Sequence, residues 1–178
     1  MDLVEKTQKK ELVYQGKFIE CYKDQVILPN GKMSTREYLH HPGAIAAVPL
    51  LDDGRIILEK QFRYPAGEVI LEIPAGKLEK SENPEDCARR ELTEEIGYEP
   101  QQLIHLTSIW TTPGMTDEII HLYLAKGLKP LRRPMDSDEF LEIVVMTKQE
   151  VFDHMNNDSV IDSKTALALM MIELRKLW

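Results

Sequence analysis

Cysteine is scarce in this chain: Cys21 and Cys87 are the two among 178 residues. Both fall where apolar packing residues are expected, one in a strand pattern and one in a helix pattern, so they read as reduced side chains and a disulfide framework is not implied. Long apolar runs are also missing. The longest, Ala44 to Leu51, is far short of the roughly 20 residues a membrane helix needs, and the charged N-terminus MDLVEKTQKKELVYQGKF lacks the apolar core of a signal peptide. The expectation is a cytoplasmic protein. Positive charge is in deficit, 22 Lys and Arg against 30 Asp and Glu, for a net charge of −8. That balance argues against nonspecific nucleic-acid or anionic-membrane binding. The five histidines, at 40, 41, 105, 121 and 154, lack the i, i+4 pairing of a helical zinc site. No repeat or low-complexity segment occurs.

What is present suffices for one core. With 178 residues, 43% of them hydrophobic, the chain supports one good domain and a small appendage. Residues 11–40 alternate apolar and polar and break at Pro29-Asn30-Gly31-Lys32, a hairpin signal that predicts an N-terminal antiparallel sheet. Further strands are predicted at 44–50, 55–62, 68–73, 102–111, 118–125 and 139–146, with helices at 84–96, 147–156 and 162–177. This mixture is α+β. The last helix carries Leu167, Met170, Met171, Leu174 and Leu177 at helical spacing, a core-packing pattern.

The helix at 84–96 is the unusual one. Asn83 suits its cap, Pro84 its first position, Glu85 and Asp86 its positive end, and Gly97 its stop. It gathers Glu91, Glu94 and Glu95 on one face with Arg90 beside them, although like charges at this spacing repel. Such a face is a hard-oxygen ligand set suited to Mg²⁺ or Mn²⁺. A solvated acidic face is the plain alternative for any charge run.

The surrounding spacing decides between them. Gly76, five residues, Glu82, seven residues, Arg90-Glu91, Leu92, one residue, Glu94-Glu95, one residue, Gly97 and Tyr98 reproduce the Nudix box. At ordinary amino-acid usage the joint odds are on the order of 10⁻⁸ per start position. The chain resembles a Nudix hydrolase, and within that superfamily the ADP-ribose pyrophosphatase group. The resemblance extends through STREYLHHPGA (34–44), EKQFRYPAGEVILEIPAGKLE (59–79), WTTPGMTDE (110–118) and DSDEFLEIVVM (136–146). Pro113, sixteen residues past Gly97, matches the downstream proline of that group. Tyr98 fills a position more often aliphatic.

The resemblance implies an α/β/α sandwich around a mixed sheet and a division into residues 1–42, an N-terminal β-sheet segment exchanged in a homodimer, and 43–178, the catalytic domain. It implies Mg²⁺, with Mn²⁺ as a substitute, held by Glu91, Glu95 and additionally Glu94, with the Ala75 carbonyl completing the site. Arg90 would orient the carboxylates. Glu139, in the acidic loop 136–139, would be the base; otherwise it is an exposed loop acid. Arg36 and Arg63 would contact substrate, and Pro113, Gly114 and Glu118 would shape the terminal-ribose end. Ordinary ion-paired arginines and a simple Pro-Gly turn are the alternatives.

The implied activity is Mg²⁺-dependent hydrolysis of ADP-ribose to AMP and ribose 5-phosphate. Its rivals are hydrolysis of other nucleoside diphosphate sugars or dinucleotides, and noncatalytic sensing of ADP-ribose. The intact glutamate set weighs against a sensor. Substrate choice resides in loops that the fold does not dictate.

Overall fold

The computed structural model describes residues 2–135, 139–158 and 160–178. The chain divides into two compact units, residues 1–43 with 110–119, and residues 44–109 with 120–178. In the first unit, β1 (Lys6–Lys9), β2 (Leu12–Gln15), β3 (Glu20–Ile27) and β4 (Met33–His40) form one antiparallel sheet in which β3 pairs with the other three. The β3–β4 hairpin closes at Asn30-Gly31, where Gly31 takes φ +82°, a left-handed conformation that glycine adopts without a Cβ penalty. Leu39 bridges Thr116, which ties residues 110–119 to this sheet.

The second unit holds β5 (Ala44–Pro49), β6 (Ile56–Arg63), β7 (Glu68–Glu72), β8 (Ala75–Lys77), α1 (Pro84–Glu91), a π-helical turn (Leu92–Ile96), β11 (Leu141–Met146), α2 (Lys148–Asn157) and α3 (Ser163–Leu174). β9 (Tyr98–Trp110) and β10 (Ile119–Pro130) also lie mainly here. One sheet runs β8-β5-β10-β9, with β5 and β10 parallel; a second runs β11-β6-β7, antiparallel throughout.

Strand β5 shows why the layers form. Every residue of it is buried, and its period-2 alternation divides it between two cores. Ala44, Ala46 and Val48 join the cluster that contains Val151 of α2 and Ala168, Leu169 and Ile172 of α3. Ile45 and Ala47 join Cys87 and Ala88 of α1 with Leu92 and Ile96. A sheet buried on both faces by helices is the α/β/α sandwich. β6 follows the same rule: Ile56 and Leu58 belong to the first core and Ile57 to the second.

The predicted helix at 84–96 is not uniform. Its α-helical part ends at Glu91, and residues 92–96 widen into a π turn closed by Gly97 N–H donating to the Leu92 carbonyl, an i→i+5 bond. β9 starts at Tyr98, immediately after this stop, and so runs four residues earlier than the apolar pattern suggests. α3 ends at Leu174, and Lys176 at φ +54° is in the left-handed region, so the chain turns before its last residues.

Candidate active site

Local signals place the glutamate helix. The Asn83 side chain accepts from the Glu85 amide, Pro84 occupies the first turn, and Gly97 at φ +74° forms the left-handed cap. The helix packs on β5 through Cys87, Ala88 and Leu92, all fully buried. This packing leaves Glu91 at 7% and Glu95 at 3% exposure. Buried carboxylates need partners or a ligand.

Arg90 supplies partners to one side of the cluster. Its guanidinium clamps Glu82 through Nε–Oε1 at 2.9 Å and Nη2–Oε2 at 3.0 Å, and Nη1 donates to Glu91 Oε1 at 2.8 Å and to Glu94 Oε2 at 3.2 Å. The fork therefore aligns three glutamates of the box. Hydrogen bonding to Arg90 pulls the Glu82 carboxyl down to about 2. Gly76 makes room for the arrangement: a Cβ there would stand 1.9 Å from both Cδ and Oε1 of Glu91. The first glycine of the box is thus required by a side chain fifteen positions away.

The other side of the cluster is short of donors. Burial pushes the Glu91 carboxyl up to about 7, against the pull of Arg90 and helped by the charges of Glu94 and Glu139. Burial also raises Glu95 well above the ordinary carboxylate range, and the charges of Glu59, Glu91 and Glu139 add to this, while a backbone hydrogen bond from Ala75 opposes it. Glu95 Oε2 is buried without a hydrogen-bond partner among the described residues. The charge of Glu139 thus reaches both helix glutamates. Asp136, Ser137 and Asp138, the rest of the acidic loop, lie outside the described residues.

Two acids of this region escaped the sequence reading. Glu59 and Glu72 are directly opposed across β6 and β7 and are 0% and 1% exposed. Glu72 is paired on both oxygens: Arg63 Nε donates to Oε1 at 2.7 Å, and Lys164, 8% exposed on α3, donates to Oε2. Neither oxygen of Glu59 has a hydrogen-bond partner among the described residues. One signal for Glu59 was available: it stands two residues after Ile57 and directly after the apolar run Ile56–Leu58, at a core-facing phase where an acid is out of pattern.

Arg63 lies in the second unit, half-exposed and bonded to Glu72. Ala75 opens β8 opposite Ala46. The remaining predicted substrate residues lie in the first unit. There Arg36, Tyr38, Trp110, Pro113 and Gly114 line an open groove of about 460 Å³. Arg36 is held by Glu5 through both Nε, at 2.9 Å, and Nη2. The Pro113-Gly114 segment is a turn closed by the Met115 amide on the Thr112 carbonyl at 2.8 Å. Glu118 accepts from Thr111 Oγ1 at 2.8 Å and lies 3.4 Å from His41 Nδ1.

Among the described residues, no three His, Cys, Asp or Glu side chains are close enough to enclose an ion as they stand. The donor chemistry nevertheless fits a hard divalent cation. Three buried carboxylate oxygens, both of Glu59 and Oε2 of Glu95, have no donor among the described residues, and the Gly76 gap accommodates Glu91, whose charge acts on Glu95. Carboxylate oxygens that lack hydrogen-bond donors are the ligands Mg²⁺ and Mn²⁺ take.

Known proteins place this geometry in a family. The NUDIX domain pattern matches residues 40–167. The chain is 46% identical over 176 residues to a Bacillus subtilis protein named ADP-ribose pyrophosphatase, covering 98% of this chain and 95% of that one. It is 43% identical over 174 residues to the methanol dehydrogenase activator of Bacillus methanolicus, covering 97% and 94%. A Mycobacterium tuberculosis protein named ADP-ribose pyrophosphatase is 38% identical over 72% of this chain and 62% of its own length. In fold, a crystal structure of an ADP compounds hydrolase superposes with a TM-score of 0.85 at 19% identity, covering 96% of this chain and 93% of that one. The chain belongs to the Nudix hydrolase family, in the group whose members include these ADP-ribose pyrophosphatases.

Proposed function

We propose that the protein hydrolyses the pyrophosphate bond of ADP-ribose, giving AMP and ribose 5-phosphate, with Mg²⁺ as its cation and Mn²⁺ as a substitute. The observation that carries this reading is the box helix, whose buried glutamates keep an oxygen without a donor while Arg90 orders their neighbours. The name borne by the 46% identical relative supports the substrate.

A bound divalent cation supplies neutralisation of the pyrophosphate oxyanions and acidifies water near its attack position. Glu91, Glu94 and Glu95 would hold it, together with the Ala75 carbonyl. Arg90, bonded to Glu82, Glu91, Glu94 and the Lys77 carbonyl, would orient the carboxylates and not the substrate. Glu139 would accept the proton of the attacking water as the new P–O bond forms and the bridging P–O bond breaks. The leaving phosphate departs with the pair from the broken bond. Arg36 and Arg63 would bind phosphate or stack on adenine, and Pro113, Gly114 and Glu118 would receive the terminal ribose.

We also read the chain as a cytoplasmic homodimer in which residues 1–42 are exchanged between protomers and residues 43–178 form the catalytic domain. Free Cys21 and Cys87 suit a reducing compartment. Strand β2 leaves Leu12, Val13 and Tyr14 exposed at 46%, 52% and 60%, apolar surface that a partner would cover. A light-scattering mass near twice 20.5 kDa supports the dimer that exchange requires, and a mass near 20.5 kDa for the active protein excludes it.

The deciding experiment is a substrate panel. Purified protein with Mg²⁺ is offered ADP-ribose, ADP-glucose, GDP-mannose, dinucleoside polyphosphates and nucleoside triphosphates, and compared by kcat/KM. ADP-ribose should lead. A higher value for any other member reassigns the substrate, and no turnover of any member, with tight ADP-ribose binding, points to a sensor.

A further inference from the structure

The Nudix box accounts for the glutamates of α1 and the turn after it, but not for Glu59, which comes from a different element. Strand β6 alternates between the two cores of its unit: Ile56 and Leu58 face the one that contains α2 and α3, and Ile57 faces the one that contains α1. By the same period Glu59 points to the α1 side. Its charge acts on Glu95, and that of Glu139 acts on both. Glu59 is wholly buried, and both its oxygens lack a hydrogen-bond partner among the described residues, as does Oε2 of Glu95.

Its neighbour Glu72 shows what a structural acid at this depth looks like. Glu72 meets Arg63 and Lys164, one on each oxygen. Two acids opposed across a strand pair repel, and the two basic side chains bond Glu72 directly, whereas their charges reach Glu59 without a hydrogen bond to either of its oxygens among the described residues. A carboxylate taken out of water without donors is among the costliest groups a fold can bury. A cation between Glu59 and Glu95 removes that cost from both at once.

We propose that Glu59 is a further ligand of the divalent-cation site, acting with Glu95, so that the ion is held from strand β6 as well as from the box helix. The inference rests on the cation site described above but adds a ligand outside the box. It also gives a reason for an acid in the core phase of β6, where neither oxygen meets a hydrogen-bond donor among the described residues.

The test reads cation binding without substrate or turnover. Full-length wild type, Glu59→Val, Glu59→Gln and Glu95→Gln are titrated with Mn²⁺ and followed by calorimetry and by the electron paramagnetic resonance signal of free Mn²⁺. Melting temperatures are recorded with and without the ion. Both Glu59 variants should lose one bound ion or weaken its affinity by about tenfold or more, and the Mn²⁺-induced rise in melting temperature should shrink. Glu59→Val should melt no lower than wild type in the absence of metal, because an unpaired buried acid is replaced by an apolar side chain. Should Glu59→Val fail to fold, Glu59→Gln, which keeps the shape, decides alone. Wild-type affinity and stoichiometry in the Glu59 variants, with loss in Glu95→Gln, overturns the Glu59 assignment and leaves the box site intact. Unchanged binding in all three variants overturns both.

Discussion

The charged groups of the first unit meet partners: Lys23 pairs with Glu37, Arg36 with Glu5 and His40 with Asp117, each side chain about a third or more exposed, and the buried Asp24 accepts from the Glu11 amide and the Tyr38 hydroxyl. In the second unit Glu59, Glu91 and Glu95 are buried, and three of their six carboxylate oxygens have no donor among the described residues. Exposed pairs contribute little, since water and salt screen them and ordering two long side chains costs entropy. Buried acids without donors cost stability outright. The first pattern is what a chain does to stay folded in water. The second is hard to account for by folding alone and becomes intelligible when a cation is part of the site.

The contrast breaks first at Glu95. Replacing it by Gln removes a negative charge with little change of shape, and hydrolysis of ADP-ribose should fall by orders of magnitude in kcat with folding intact and cation binding weakened. Glu139→Gln is the informative companion: as the base it should lose about 10² to 10⁴ in kcat while Mg²⁺ titration curves stay near those of wild type. If excess Mg²⁺ restores Glu139→Gln, that residue is not the base.

Gly76→Ala sharpens the comparison without touching an acid. A Cβ placed 1.9 Å from the Glu91 carboxylate forces that flexible side chain aside. Cation affinity should fall by about tenfold or more, whereas the melting temperature of the metal-free protein should change little. A large loss of stability with normal cation affinity would show that Gly76 serves the fold and not the site.

The pH dependence of the metal-free protein should have a definite sign. The Glu91 carboxyl is raised from an ordinary 4.5 to about 7, and Glu59 and Glu95 are raised as well, by burial first and by neighbouring acids second. A raised folded-state value means that the retained proton stabilises the fold below the ordinary value, and that this contribution is lost as pH climbs through the folded one. Thermal melts should therefore show stability declining between about pH 4.5 and 7 and beyond. Glu82, lowered to about 2, acts in the opposite sense and only below 4.5. Saturating Mg²⁺ should flatten or reverse the decline, because the cation binds the deprotonated acids. A decline of equal depth with and without Mg²⁺ contradicts the cation assignment. The smallest effect belongs to the first unit: Glu5→Ala, which frees Arg36, should change unfolding free energy by less than about 1 kcal/mol in denaturant melts.

Sequence reading reached the parts of this protein that are written locally. Asn83, Pro84 and Gly97 bound the box helix because caps and stops depend on residues within a turn of one another, and Asn30-Gly31 closes its hairpin for the same reason. The π turn at 92–96 was not legible: the amino acids there suit an α-helix equally well, and the difference lies in one bond from Gly97 to Leu92. Glu72 and Lys164 meet across 92 positions of sequence, so their pairing depends on α3 docking beside β7, which no window of residues reveals. Glu59 was half legible. Its polarity broke the strand pattern, but its want of a partner emerges only once its neighbours are in place.

The most direct measurement is anomalous diffraction from crystals soaked in Mn²⁺. A strong anomalous peak is expected within coordination range of Glu95 and Glu59, with Glu91 beside it. Fully occupied Mn²⁺ sites that avoid these side chains, or the absence of any peak there at saturating Mn²⁺, would contradict the cation assignment.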